Sequence, residues 1–223
     1  MSINNCNCKN SKPIIVEQIQ PDDIQAVVNL YRKSFRNHFL GHMGQRFLTL
    51  FVSEFVNSAD NFGYVAWFNH EAVGFILATT TDTLFSKFYR KNFPVLAVIT
   101  MSRYFRDPFI RKHIGKRFGH IYTALKALFS FSAKRVNNCG QKRKSPVLAT
   151  ARLLAIAVDK HYRGLGVASK LTSHFCKEMK VKGFKQVGLS TLRWNRRAIN
   201  FYQKDGWTEE KCNETSVYFS RIL

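Results

Sequence analysis

Apolar positions recur along this chain with two different periods, and the places where the period changes mark its elements. Ile14-Ile15-Val16 is a short β-branched run that reads as a first strand. Pro21-Asp22-Asp23 then opens a helix with acids in its first turn, where the helix dipole favours them. Its apolar face is Ile24, Val27, Val28, Tyr31 and Phe35. A second helix, at about 45–56, carries Phe47, Leu48, Phe51 and Phe55. Two apolar runs, 62–68 and 72–78, flank Asn69-His70, which is the pattern of a β-hairpin.

The C-terminal part repeats this alternation. Leu153 to Val158 is a continuous apolar run and predicts a buried strand. Leu171, Phe175, Met179 and Phe184 follow at spacings of four or five, as on one face of a helix. Lys185 to Leu192 reads as another strand. Asn195 is then a good helix N-cap, and Ala198, Ile199 and Tyr202 share a face by three-and-four spacing. Gly206 suits a left-handed helix stop, and Val217 to Ile222 is a last strand.

Residues 82–148 stand apart from this alternation. From 85 to 146 there are fifteen Lys and Arg against one acid, Asp107, so this stretch holds +14 of the chain's net +21. It also holds eleven Phe and Tyr. Within 107–131, Ile110, Ile114, Phe118, Ile121, Leu125 and Leu128 form a helical stripe, with Arg111, Lys112, Lys116 and Arg117 between them. Residues 137–144 read as a loop returning to the core. A basic, aromatic, amphipathic helical insertion is predicted.

Composition narrows the class. A chain of 223 residues with 45% apolar and 14% aromatic side chains suits one globular domain with an insertion. The division predicted is a disordered tail at 1–12 and one domain over 13–223, with the insertion at about 82–148. No apolar run reaches the ~18 residues of a membrane span, and 94–101 is the most apolar run in the middle. The N-terminal residues lack the apolar core of a secretory signal, so a cytoplasmic protein is expected. Five cysteines, Cys6, Cys8, Cys139, Cys176 and Cys212, show no regular spacing and predict neither a disulfide framework nor a structural metal.

The candidate chemistry lies at 158–168, Val-Asp-Lys-His-Tyr-Arg-Gly-Leu-Gly-Val-Ala, between the apolar strand and its helix. Gly164 and Gly166 let the backbone turn sharply and let a ligand come close. The first amides of the helix lack intrahelical partners, so the corner suits a phosphate or pyrophosphate. It has neither the Lys-Ser/Thr pair of the Walker loop nor the third glycine of the dinucleotide fingerprint.

The order Arg163-x-x-Gly166-x-Ala168 resembles the acetyl-coenzyme A pyrophosphate loop of the GCN5-related N-acetyltransferase (GNAT) superfamily, Arg/Gln-x-x-Gly-x-Gly/Ala. Downstream, Asn195-Arg-Arg-Ala198-Ile-Asn-Phe201-Tyr202-Gln-Lys-Asp-Gly206-Trp207 is similar to that family's Asn-x-x-Ala-x-x-Phe-Tyr-x-x-x-Gly-Phe segment, with Trp for the final Phe. The resemblance is specific over 149–208 and architectural over 13–80. It implies an α/β fold, a central mixed twisted sheet flanked by helices, with the insertion before the phosphate-loop strand. It implies acetyl-CoA as cosubstrate, with no metal, held by the amides of Arg163, Gly164, Leu165, Gly166, Val167 and Ala168. The pantetheine arm would pair with the backbone of Ile156, Ala157 and Val158 and contact Asn195. Tyr202 would be the general acid toward the coenzyme A sulfur.

A general base is harder to name. Many relatives use a Glu, sometimes on the phosphate-loop strand, but residues 149–158 contain no carboxylate and Arg152 stands where relatives often carry an acid. Asp159 and His161 are near in sequence, and His38 and His42 follow the first helix; none is singled out. The function expected is N-acetyl transfer to a primary amine of a small acceptor. The basic insertion would favour an anionic acceptor, such as a nucleotide-linked amino sugar, over a polycation. Two other readings stand beside it: a protein amine acetyltransferase, and a module on this scaffold that binds nucleic acid or an anionic membrane through blocks such as Lys142-Arg143-Lys144. The sequence does not define an oligomeric state.

Overall fold

The computed structural model describes residues 13–36, 39–56, 58–112 and 150–223. The predicted tail, His38, most of the 107–131 helix and the 137–144 loop lie outside the described residues.

Seven strands form one mixed sheet in the order β1-β2-β3-β4-β5-β7-β6: β1 Ile15–Gln18, β2 Asn61–Phe68, β3 Glu71–Thr79, β4 Thr150–Val158, β5 Gln186–Leu192, β6 Thr208–Cys212 and β7 Ser216–Ile222. Every neighbouring pair is antiparallel except β4 and β5. The helices are α1 Ile24–Ser34, α2 Phe39–His42, α3 Gln45–Ser53, α4 Leu84–Lys91, α5 Phe93–Arg106, α6 Val167–Val181 and α7 Arg196–Lys204. The predicted hairpin is present, and Asn69 and His70 turn it with φ of 51° and 63°. Short polar side chains tolerate that left-handed turn, which matches the twist of the flanking strands.

The sheet divides the core in two. Ile76 and Ala78 of β3 pack with Leu171, Phe175 and Met179 of α6 and with Ile199 and Tyr202 of α7. Phe75 and Leu77, pointing the other way, pack with Val27, Val28 and Tyr31 of α1 and Phe47, Leu48 and Phe51 of α3. This two-sided cover explains why β3 and β4 read as continuous apolar runs rather than as alternations.

Several boundaries differ from the sequence reading. Pro21–Asp23 is a separate 3-10 turn before α1. The second helix stops at Ser53, and Phe184 lies beyond α6, after Gly183 at φ 85°. Neither α2, only four residues long, nor β6 was assigned residues from sequence. All five residues of β6 are exposed, so it has no apolar face for periodicity to detect.

The described part of the predicted insertion, residues 82–112, is joined to the second core. Leu84 and Phe88 of α4, Leu96 of α5 and Ile110 are all buried there. The docking is also polar. His42 Nδ1 lies 2.8 Å from Asp107 Oδ2, and its ring stacks on Phe109 at 4.1 Å. Burial acts to raise the Asp107 carboxyl, but its hydrogen bonds to His42 and to nearby amides, with the charge of His42, hold it below its ordinary value. Gly44, at φ 88°, leaves room for the Arg103 guanidinium, with which a Cβ would collide.

Candidate functional site

The site follows from how β4 leaves its neighbours. Its parallel pairing with β5 runs only from Thr150 to Leu153, and Leu154 is the extra residue of a bulge against β3. From Ala155 onward β4 still pairs with β3, but the edge toward β5 is open. The Asp159 N–H donates to the Val73 carbonyl at 2.8 Å. Because backbone groups alternate sides along a strand, Ile156 and Val158 turn theirs toward the open edge. One of these groups has a partner: Arg163 Nε donates to the Val158 carbonyl at 3.2 Å.

The turn after β4 comes next. Asp159 caps a short 3-10 turn by accepting from the His161 amide at 3.0 Å. Gly164 and Gly166 have φ of 83° and 76°, and a Cβ on either would meet nothing within 4 Å. The loop therefore borders open space on the side where those side chains are missing. Gly166 is the N-cap of α6 and supplies no side-chain cap. The first helical bond runs from the Lys170 N–H to the Gly166 carbonyl at 3.0 Å. The amides of Val167, Ala168 and Ser169 thus lie before that bond, at the positive end of a fifteen-residue helix. That end can hold an anion.

The opposite wall is α7. The Asn195 side-chain oxygen accepts from the Ala198 amide at 3.2 Å, which makes Asn195 the N-cap and leaves its NH2 group free to donate. Tyr202 packs against Phe201, Trp207 and Phe219 and is 4% exposed. Its phenol is pushed well above its usual value by burial first and by the charge of Asp205 second. Its hydroxyl has no hydrogen-bond partner among the described residues, and no described side-chain oxygen is both fully buried and unpaired. The hydroxyl therefore reaches the cleft surface, where a phenol can both donate and accept a hydrogen bond.

Asp205 braces this wall. It accepts from Thr172 Oγ1 at 2.7 Å and Trp207 Nε1 at 3.2 Å, while Arg221 Nη1 lies 3.7 Å from its carboxylate and donates to its carbonyl at 2.9 Å. One carboxylate ties α6, the end of α7 and β7 together.

Between the walls lies a cleft of about 930 Å³. Ile156, Ala157, Val158, Arg163, Gly164, Gly166, Val167, Ala168, Asn195 and Tyr202 all line it, which brings together almost every residue singled out from sequence. Leu165 does not line it; its side chain is 57% exposed, as the middle residue between two glycines in a surface turn. Sequence reasoning missed Ser34 and Phe35 at the end of α1, Lys160 and Tyr162 in the turn, and Arg197. Lys160, Tyr162 and Arg197 lay inside segments already under suspicion. Ser34 and Phe35 come from a distant helix and carried no signal beyond amphipathicity.

No Asp, Glu or His lines the cleft among the described residues. Arg152 is outside it, 3.4 Å from Asp82 on the exposed surface. His161 is exposed, Asp159 is used by the turn, and His42 holds the insertion. Tyr162 donates to Glu71 at 2.8 Å, and that bond is the main cause of its raised hydroxyl pKa. Among the described residues no group of three or more His, Cys, Asp or Glu could hold a metal ion, and no helix is long and apolar enough to cross a membrane.

Comparison with known proteins places this geometry. The family model of the acetyltransferase (GNAT) family matches residues 24–207. Among solved structures, the PaiA N-acetyltransferase of Thermoplasma acidophilum in complex with coenzyme A is similar with TM-score 0.56 and 13% identity, over 95% of this chain and 99% of that one. Arabidopsis thaliana NAA60 in complex with acetyl-CoA gives 0.54 and 15%, over 95% and 99%. The ribosomal-protein-S18-alanine N-acetyltransferase of Escherichia coli gives 0.54 and 12%, over 94% of each chain. No curated protein matches the chain significantly.

Proposed function

For this chain, which belongs to the GNAT acetyltransferase family and is an acetyl-CoA-dependent N-acetyltransferase, we propose that the acceptor is the primary amine of a small molecule whose remainder is neutral or anionic, such as a nucleotide-linked amino sugar. The observation that carries this reading is the charge of the cleft. Lys160, Arg163 and Arg197 line it and no acid does among the described residues. A polyamine or aminoglycoside would find like charge and no counter-ion.

Acetyl-CoA supplies the activated acyl group. The amides of the 163–168 turn and of the α6 N-terminus hold its pyrophosphate, and the open edge at Ile156 and Val158 with the Asn195 NH2 orients its pantetheine arm. Arg163 releases the Val158 carbonyl when the arm takes that edge. The amine nitrogen bonds to the thioester carbon, the carbon–sulfur bond breaks, and Tyr202 gives its proton to the departing thiolate. A phenol's ordinary pKa of about 10 already keeps Tyr202 protonated and able to donate at neutral pH, and burial raises it further. With no base among the described lining residues, the amine sheds its own proton to solvent.

The test is thiol release from acetyl-CoA with a panel of nucleotide amino sugars, polyamines, aminoglycosides and N-terminal peptides. Nucleotide amino sugars should react best, and kcat/KM should climb with pH toward the acceptor's own pKa. Tyr202→Phe should lower turnover by about 10²-fold while leaving acetyl-CoA affinity intact. Preference for a polyamine would refute the acceptor class, preference for a peptide would make this a protein acetyltransferase, and undiminished turnover of the Phe variant would remove Tyr202 from the chemistry.

A further inference from the structure

Helix α5 is apolar on both sides, and among the described residues only one side is covered. Leu96 is buried in the second core, with Ile99 packed against it. On the outer side Phe93, Ala97, Met101 and Phe105 stand four residues apart and so form one line along the helix. Phe93 is 67% exposed, Met101 59% and Phe105 68%, and Val98 beside the line is 71% exposed. A helix with apolar surface all round is normally buried all round, and an exposed apolar line of this length marks an interaction surface.

Charge identifies what meets it. Residues 84–112 hold seven Lys and Arg and a single acid, Asp107, which is committed to His42. Lys87 and Lys91 face Asp60 and Glu54, whereas Arg90, Arg106 and Lys112 have no acidic partner among the described residues. From residue 108 to residue 158 the sequence contains no Asp or Glu at all. A second copy of this chain would bring two strongly basic segments face to face, which disfavours self-association here.

We propose that the outer face of α5 seats on an anionic lipid surface. Phe93, Val98, Met101 and Phe105 enter the boundary between headgroups and acyl chains, while Arg90, Arg106 and Lys112 meet the headgroup phosphates. The helix lies on the membrane and does not span it: α5 has fourteen residues, fewer than the ~20 a span requires.

The experiment is co-sedimentation of the full chain with vesicles of phosphatidylcholine alone and of phosphatidylcholine mixed with phosphatidylglycerol. The parent should bind the mixed vesicles, bind the neutral ones poorly, and weaken with added salt, which screens exposed charge. Val98→Gln, Met101→Gln and Phe105→Gln together should reduce binding about tenfold or more, by removing apolar area from the contact. Their thermal midpoint should be unchanged, because the side chains are exposed in the protein alone. Should the triple variant misfold, Arg106→Glu with Lys112→Glu tests the contact through the unpaired charge at the end of α5 and beyond it, and should also weaken binding. No binding of the parent to mixed vesicles overturns the proposal, as does equal binding by a folded variant. A concentration-dependent dimer, or an acidic protein partner, lost in the variant without any vesicle binding would reassign the face and likewise overturn it.

Discussion

At the scale of the residue, one missing side chain does as much for the site as any group present. Gly166 combines φ of 76° with open space where a Cβ would stand, so its backbone both turns and borders the cleft. Gly166→Glu would impose left-handed strain and put a carboxylate at the helix end that attracts anions. Acetyl-CoA affinity measured by calorimetry should fall about tenfold or more, as a like charge is set beside the amide donors, with the fold kept. Unchanged affinity in a folded variant would remove the turn from cosubstrate binding. Tyr202 shows the complementary case, where the ring is core and only its hydroxyl is left to the cleft. Periodicity placed the ring in the interior; the free hydroxyl became visible only once Phe201, Trp207 and Phe219 were seen to enclose the rest.

At the scale of the element, the cleft depends on two helices held at fixed positions over a sheet that opens between β4 and β5. The bulge at Leu154 coincides with the end of their pairing, and the Asp205 network fixes α6 and α7 on either side. Asp205→Ala would leave the Trp207 N–H without its acceptor and Arg221 without its counter-charge. Thr172 could fall back on the Ala168 carbonyl, 3.1 Å away. The expected loss is about 2 kcal/mol, the cost of an unpaired donor and a lost charged hydrogen bond, read from urea unfolding. Asp205→Asn keeps an acceptor oxygen and should lose less. Equal loss in both variants would mean that the charge, not the acceptor, holds the wall.

At the scale of the molecule, several buried groups resist losing their protons. Burial pushes the Cys176 thiol up to about 11 and the Tyr31 phenol to about 12, and raises Tyr64 and Tyr202 as well. In the unfolded chain these groups lose protons at their ordinary values, near about 9 for the thiol and 10 for the phenols. Each folded pKa is the higher, so the unfolded state binds fewer protons above those values and stability falls as pH rises. The urea midpoint should be flat below about pH 9 and decline above it. A midpoint that holds steady to about pH 11 would show that these groups open to solvent without unfolding.

What the sequence determined by itself was whatever is encoded locally. The hairpin at Asn69-His70, the glycine turn before α6, the Asn195 cap and the stop at Gly206 each rest on a few adjacent residues with a conformational preference, and each stands where those preferences put it. The motif order placed the same residues around one cleft, because a turn between two legible elements has little freedom. Tertiary structure decided the rest. The entry of Ser34 and Phe35 into the cleft, the use of His42 to dock the insertion and the exposed position of Arg152 depend on contacts between segments tens of residues apart. So does the face of α5: Phe93 to Arg106 is apolar on most sides, and only the position of the second core separates its buried residues from its exposed ones. A local pattern specifies which backbone forms; which side of it is covered is a property of what packs there.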